Sequence, residues 1–231
     1  LGFARAMLTD ASARGLAALF SLAVPPACLL CGQPSSQIHR DLCGSCLART
    51  GTSEPVIEAG PGGVSSVLVA GPYEGISGEI VKSLKFRRHL AAAEVAVSLL
   101  ERALTVAGSR ILSERPIVVP VPPDPLRWFI RGFDPAEEIA IALAGRMSLP
   151  YARLLVRKKG PRQTGRGRAD RLARPPVVAL AEPDATLPNR FLLVDDVLTT
   201  GATLTASAAP LLRGGASGID AVCLARAGKR G

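Results

Sequence analysis

The sequence contains few aromatic side chains: six Phe, two Tyr and one Trp among 231 residues, or 4%. Because 48% of the residues are apolar, the hydrophobic core must be built mainly from Ala, Val and Leu. The length is sufficient for one sizeable core, alone or with a small additional module. The same shortage leaves few side chains on which a nucleobase could stack.

The sequence also lacks an apolar run long enough to span a membrane. The segment "LAALFSLAV" at 16–24 is apolar and follows two arginines, so a signal peptide is one interpretation. Because "VPPAC" lacks the aliphatic residue expected before a lipoprotein cysteine, we favour an amphipathic N-terminal helix over 1–24. The expected location is the cytoplasm, with no membrane insertion.

Acidic residues are scarce in one segment of the chain that is rich in basic residues. The formal net charge is +9, and the segment 157–174 holds eight basic residues and one acid. Neither helical nor strand periodicity is present there, which predicts a long basic loop over 157–176. Such a charge favours polyanionic partners, either nucleic acid or phosphorylated ligands, although a basic protein without such a partner fits the composition equally well.

Four of the five cysteines form two pairs, "CLLC" and "CGSC". Two CxxC turns predict one tetrahedral, structural zinc site with the ligands Cys28, Cys31, Cys43 and Cys46. Two disulfides or free buried thiols are the alternatives, and His39 is interpreted as a bystander. A module this small has little core, so the metal would supply most of its folding energy. We predict a zinc-ribbon module over 25–55, joined by a linker over 50–63.

The rest of the chain alternates strand and helix signals, which predicts an α/β domain over 56–231 with a mostly parallel sheet and helices on both faces. The predicted strands are 64–70, 116–122, 152–156, 177–180, 190–196 and 217–226. The predicted helices are 76–86, 91–107, 135–146 and 203–213.

The segment "RFLLVDDVLTTGAT" at 190–203 predicts a ligand site. An apolar strand ending at Val194 leads into Asp195 and Asp196, and ligands of parallel sheets bind beyond the carboxyl ends of strands. The small residues Thr199, Thr200, Gly201, Ala202 and Thr203 follow, before a helix whose N-terminus suits a phosphate. The motif GxxxxGK[ST] is absent, so the loop suits a single phosphate. Two adjacent carboxylates suit the vicinal hydroxyls of a ribose; an Asp N-cap with a chance acidic neighbour is the alternative.

The stretch "FLLVDDVLTTGAT" closely resembles the phosphoribosyl-pyrophosphate signature of type I phosphoribosyltransferases. The chain as a whole, from about residue 20 to 227, is similar to one branch of them, the ComF (competence protein F) family, which includes ComFC-like and GntX-like proteins. The resemblance rests on the four-cysteine module and on "YEGISGEIVKSLKFRRH", "VVPVPPDPLRWFIRGFDPAEEIA", "RQTGRGRADR" and "AVCLARA".

This resemblance implies that Asp195 and Asp196 hold the ribose hydroxyls of phosphoribosyl pyrophosphate and that 199–203 hold its 5-phosphate. The pyrophosphate would lie near Pro120, Val121 and Pro122, accompanied by Mg²⁺. The basic loop, including Arg168 and Arg171, matches the segment that closes over pyrophosphate in active transferases, where cationic groups stabilise the leaving charge. The implied catalytic residues are Asp195, Asp196, Arg131, Arg168 and Arg171.

Two features depart from the family pattern: Arg174 and Asp134 stand where asparagine is usual. The sequence defines no acceptor pocket, and Trp128, Phe129 and Phe133 are the nearest aromatic residues. The predicted activity is therefore phosphoribosyl transfer to an unspecified acceptor, or hydrolysis. The alternative is a competence factor that handles single-stranded DNA with the DNA-uptake machinery and uses the fold as a ligand sensor. The oligomeric state is left open.

Overall fold

The computed structural model describes residues 27–34, 38–39, 42–87, 90–158, 176–183, 186–187 and 189–228. The chain divides into two compact units, residues 1–48 and residues 49–231. The helix predicted over 1–24 lies outside the described residues. Within the described residues, every helix is too short or too polar to cross a membrane.

The first unit carries the cysteine pairs. A short strand β1 (Ile38–His39) pairs antiparallel with β2 (Leu42–Cys43), and helix α1 (Gly44–Gly51) begins directly after it. The backbone turns tightly from Cys28 to Gly32. Gly32 has φ +71°, and its N–H donates to the Cys28 carbonyl at 2.8 Å. Glycine adopts this left-handed conformation without a steric penalty.

The second unit is built on a five-stranded sheet with the strand order β3-β4-β9-β8-β5. Four of its strands run parallel, and β3 joins the edge antiparallel to β4. Two further strands, β6 and β7, form a separate antiparallel pair. The strands are β3 (Val56–Ala59), β4 (Ser66–Val69), β5 (Ile117–Pro120), β6 (Leu155–Lys158), β7 (Val177–Leu180), β8 (Arg190–Leu198) and β9 (Gly218–Arg226).

Helices cover both faces of the sheet. The helices are α2 (Ile76–Arg87), α3 (Leu90–Ala107), α4 (Ser109–Leu112), α5 (Pro125–Arg131), α6 (Pro135–Met147) and α7 (Ala202–Arg213). Helices α2, α3 and α6 pack on one face, and α7 packs on the other together with the β6–β7 pair. The predicted α/β class with a mostly parallel, helix-flanked sheet is therefore confirmed.

Strand β8 is the centre of the core. Its four consecutive apolar residues, 191–194, are fully buried because both faces of the sheet are covered. Phe191 and Leu193 pack in one cluster with Leu204 and Leu211 of α7. At the start of the strand, Arg190 Nη2 lies 2.9 Å from Oδ2 of Asp220 on the neighbouring strand β9.

Three elements differ from the sequence-based expectation. The linker predicted over 50–63 contains the edge strand β3, whose residues are only partly covered and so carry a weak apolar pattern. Helix α5 was not predicted, because its exposed residues lack helical apolar spacing. The strand predicted at 152–156 forms at Leu155–Lys158 and pairs with β7 instead of joining the central sheet.

Candidate functional site

Strand β8 extends beyond its neighbour β5. The last residue of β5, Pro120, lies opposite Val194, and the N–H of Val121 donates to the Val194 carbonyl at 3.0 Å. Beyond this point β8 continues to Leu198, paired with β9 on its other side. Asp195 and Asp196 therefore lie inside a hydrogen-bonded strand, which continues two residues beyond the predicted range 190–196 and does not end with its apolar part at Val194.

A cleft of about 410 Å³ opens where β5 stops. Its walls come from the segment after β5, helix α5, the start of α6, the end of β8 and the turn into α7. Seven of the predicted site residues line it: Val121, Pro122, Arg131, Asp195, Asp196, Thr199 and Thr203.

The other predicted residues lie elsewhere. Pro120 is buried at the end of β5, and Thr200, Gly201 and Ala202 form the turn and first position of α7 outside the cleft lining. Arg168 and Arg171 lie outside the described residues, as does the basic loop from residue 159 to 175. Two residues of the basic segment are described, Arg157 and Lys158, and both belong to β6.

The two aspartates lie on opposite faces of the sheet, because successive side chains of a strand alternate. Asp195 pairs in register with Cys223, which belongs to the core cluster on the α7 face. Asp196 lies on the α2 face, where its Oδ2 is 2.5 Å from Nζ of Lys85. Both side chains of this ion pair are largely buried, 17% and 14% exposed for Lys85 and Asp196 respectively.

Asp195 occupies an environment that opposes ionisation. Burial, and then the neighbouring charge of Asp196, raise the pKa of its carboxyl to about 8. Its Oδ1 accepts a hydrogen bond from the N–H of Asp196 at 2.8 Å. At neutral pH the raised pKa favours the protonated carboxyl of Asp195, which can donate as well as accept hydrogen bonds.

A third carboxyl in the cleft was not predicted as a site residue. Asp134 caps α6 by accepting from the N–H of Ala136 at 3.3 Å, and it is 7% exposed. Its Oδ2 is buried and has no hydrogen-bond partner among the described residues. Burial, followed by the charge of Asp196, raises the pKa of Asp134 to about 7. An orphaned buried acceptor of this kind is uncommon in a folded protein and makes Asp134 a candidate ligand-binding group of the cleft.

The turn at 199–203 requires glycine at one position. Gly201 has φ +76°, and a Cβ on it would lie 2.6 Å from Cγ of Pro61. Gly201 is the N-cap residue of α7, and the hydroxyl oxygen of the preceding Thr200 accepts from the N–H of Ala202 at 3.4 Å. The first N–H groups of α7 and the hydroxyl of Thr203 thus meet at a helix N-terminus, where an anion is favoured.

Basic groups reach the cleft from its outer wall. Arg127 and Arg131 of α5 and Arg157 of β6 line it. Asp124 connects these elements: its Oδ1 accepts from the N–H groups at the start of α5, and its Oδ2 lies 3.5 Å from Nη2 of Arg157. The wall therefore places three guanidinium groups around a cleft whose floor carries three carboxyls.

Sequence reasoning missed Lys85 and Asp134. Lys85 follows an apolar position of α2 and carried no signal beyond an ordinary helical lysine. The segment "DPAEE" indicates a helix N-cap, and nothing local predicts that the Asp134 carboxyl is buried beside Asp196. Both assignments depend on contacts between segments far apart in the chain.

The four cysteines of the first unit could hold a structural zinc ion. Their sulfur atoms all lie within 4.8 Å of one another, and Cys31 Sγ is 3.8 Å from Cys43 Sγ. Zinc–sulfur bonds of about 2.3 Å in a tetrahedron give sulfur–sulfur distances of about 3.8 Å, so the cluster fits the ion. The Ser45 hydroxyl lies 3.2 Å from Cys43 Sγ and lowers the pKa of that thiol to about 6.

These features define an α/β protein with a polar cleft at the carboxyl edge of its sheet and a separate four-cysteine cluster. No family model matches the chain, and no curated protein matches it. The solved structures similar to it include a purine phosphoribosyltransferase from Pyrococcus horikoshii Ot3. That comparison covers 55% of this chain and 72% of the other, at 20% identity and a TM-score of 0.36.

Proposed function

We propose that the cleft binds phosphoribosyl pyrophosphate with Mg²⁺ and that the chain is a cytoplasmic, phosphoribosyltransferase-like protein of the ComF type. The observation that carries this proposal is the adjacency of Asp195 and Asp196 to the glycine-capped N-terminus of α7. In this proposal the chain comprises an N-terminal helix (1–24), a zinc ribbon (25–55) and the phosphoribosyltransferase-like domain (56–231).

The sugar phosphate would bind across the end of β8. Asp195 and Asp196 both border the cleft and would accept hydrogen bonds from the ribose hydroxyls. The 5-phosphate would lie at residues 199–203, where backbone N–H groups and threonine hydroxyls can donate to its oxygens. Gly201 supports this arrangement, because its left-handed conformation turns the chain directly into the helix.

The pyrophosphate would occupy the side of the cleft near Pro120, Val121 and Pro122, with Arg131 within the same lining. Mg²⁺ would arrive with the ligand and neutralise part of the charge that the leaving pyrophosphate acquires. The basic loop, with Arg168 and Arg171, would complete the positive surroundings. The reaction would be transfer of the phosphoribosyl group to an acceptor that these residues do not identify.

The test is isothermal titration of phosphoribosyl pyrophosphate in the presence of Mg²⁺. We expect the wild-type protein to bind and the Asp195→Ala/Asp196→Ala protein to lose at least a hundredfold in affinity, because the ribose hydroxyls lose both acceptors. Release of pyrophosphate with nucleobases, amines or water as acceptor then tests for catalysis.

Asp220→Asn is the matched control for that titration, because Asp220 is a buried acid of the same sheet that does not line the cleft. It should bind phosphoribosyl pyrophosphate like the wild-type protein. Absence of binding by wild type, or equal binding by the double variant, would refute the proposal.

A second candidate function, single-stranded DNA handling alongside a DNA-uptake machinery, is favoured by helix α5. Phe129 is 80% exposed and Trp128 is 45% exposed, and Arg127 and Arg131 belong to the same helix. Exposed aromatic side chains among arginines suit base stacking combined with phosphate contacts. The predicted basic loop lacks aromatic residues, so α5 would supply the stacking partners.

If the protein binds single-stranded DNA, its binding of a poly-dT oligonucleotide should depend on salt. We expect affinity to fall at least tenfold between 50 and 200 mM salt, as counterion release requires. Trp128→Ala/Phe129→Ala should weaken binding by about tenfold through lost stacking. Fluorescence anisotropy measures both effects, with Tyr151→Ala, which removes an exposed aromatic side chain outside α5, as the control. Salt-independent binding, or none, would exclude this candidate.

A further inference from the structure

We propose that Lys85 makes the cleft selective for a pyrophosphorylated sugar phosphate, because its ammonium blocks Asp196 until an anionic group of the ligand draws it away. The inference rests on the proposed function and deepens it. The blocking contact is the 2.5 Å separation between Lys85 Nζ and Asp196 Oδ2. A ribose hydroxyl that approaches Asp196 must compete with this ammonium for the carboxylate.

The surroundings of Lys85 allow the ammonium to move while its base stays fixed. Its neighbours Val81 and Leu84 on α2 are buried in the core, with 0% and 1% exposure, so the helix is anchored. Lysine has a flexible four-carbon stem that carries a compact charge, and Lys85 itself borders the cleft. The ammonium can therefore change partners without any change in the backbone.

The charges in the cleft explain why a neutral group cannot displace Lys85. Asp134, Asp195 and Asp196 influence one another electrostatically, and the charge of Lys85 favours the ionised form of Asp195. A neutral hydroxyl that displaced the ammonium from Asp196 would leave the largely buried charge of Lys85 without a counter-charge, which is costly. Pyrophosphate carries enough negative charge to receive the ammonium, and ribose 5-phosphate has no such group at its C1 end.

The test compares two ligands that differ only in the pyrophosphate group, phosphoribosyl pyrophosphate and ribose 5-phosphate, each with Mg²⁺. The ratio of their affinities measures the preference of the cleft for the pyrophosphate group. The variant is Lys85→Gln, which keeps a hydrogen-bond donor for Asp196 and removes the charge. We expect it to bind phosphoribosyl pyrophosphate at least tenfold more weakly and ribose 5-phosphate at least threefold more tightly. The preference of the cleft for the pyrophosphorylated ligand should thus fall about thirtyfold or more.

Two further variants separate this role from a structural one. Arg110→Gln removes an exposed charge from α4, outside the residues that line the cleft, and should leave both affinities unchanged. Lys85→Arg retains the positive charge and should keep most of the preference. The fluorescence of Trp128, the single tryptophan, reports whether each variant is folded before titration.

The outcomes are distinct. Equal weakening of both ligands by Lys85→Gln would overturn the inference and indicate that Lys85 only supports the structure of the cleft. Unchanged affinities would overturn it as well. If wild type binds phosphoribosyl pyrophosphate through Asp195 and Asp196 but Lys85→Gln keeps its preference, this inference fails alone. If wild type binds neither ligand, the proposed function itself fails.

Discussion

At pH 8 the Asp195→Asn protein is expected to have a free energy of unfolding higher than that of wild type by up to about 5 kcal/mol. The same substitution should weaken the binding of phosphoribosyl pyrophosphate by at least tenfold, since an amide has one acceptor oxygen and cannot lose a proton to become a carboxylate when the ribose hydroxyls bind. The substitution would thus increase the stability of the fold and decrease the affinity for the ligand, a trade-off that is common at functional sites.

The sign follows from the direction of the pKa change. In the unfolded chain the Asp195 carboxyl ionises near 3.8, and in the folded protein its pKa is about 8. Between these values the unfolded state releases the proton while the folded state retains it, so wild-type stability falls as the pH rises from about 4 to 8. Above pH 8 both states are ionised and the penalty is constant. Asparagine carries no such penalty.

Denaturant titrations at pH 5, 6.5 and 8, followed by the fluorescence of Trp128, measure this effect in the second unit. The difference between Asp195→Asn and wild type should grow with pH. Asp220→Asn is the matched control, because Asp220 is bonded to Arg190 and Ser66 and should destabilise the fold when neutralised. A constant difference across the pH range, or a loss of stability in Asp195→Asn at pH 8, would contradict the prediction.

Removing zinc should have the second large effect. We expect the purified protein to contain one zinc ion per chain and to lose the structure of the segment that carries the four cysteines when a strong chelator removes it. Among the described residues of this unit, the buried apolar ones are Cys28, Leu29, Leu42 and Cys46, so we expect the ion to supply most of the folding energy. Amide hydrogen exchange in that segment should accelerate by at least a hundredfold.

Cysteine variants provide the controls for zinc binding. Cys31→Ser should bind zinc at least a hundredfold more weakly, because a thiolate ligand is replaced by a hydroxyl. Cys223→Ala, which changes the fully buried cysteine of β9, should retain one zinc ion per chain. Elemental analysis after dialysis distinguishes the two proteins. A wild-type protein without metal, or a Cys31→Ser protein with a full equivalent, would show that the cluster is not a zinc site.

The central strands and the cysteine cluster could be predicted because their signals are local. The run of apolar residues at 191–194 indicates a strand covered on both sides, whatever its neighbours are. The two CxxC pairs place four ligand atoms by spacing alone. The small residues at 199–203 likewise indicate a helix N-terminus, and Gly201 has the left-handed conformation that such a turn uses.

The missing parts of the cleft arise from contacts between distant segments. Lys85 meets Asp196 only because α2 packs against the face of the sheet to which Asp196 points. The Asp134 carboxyl is buried only once α6 lies against the same face. The continuation of β8 through Asp195 and Asp196 depends on β9, which provides ladder partners as far as Arg226. No local pattern encodes these distances.

The uniform burial of β8 has a consequence for how its alignment is chosen during folding. A strand that is apolar on both faces can shift by one residue without exposing a hydrophobic side chain, so its pattern does not select a register. The charged residues at its two ends do select one: Arg190 meets Asp220 at one end, and Asp196 meets Lys85 at the other. Asp196, part of the floor of the cleft, thus also fixes the register of β8. A single-residue deletion within 191–194 would exchange the faces of Asp195 and Asp196 while the strand stayed apolar on both faces.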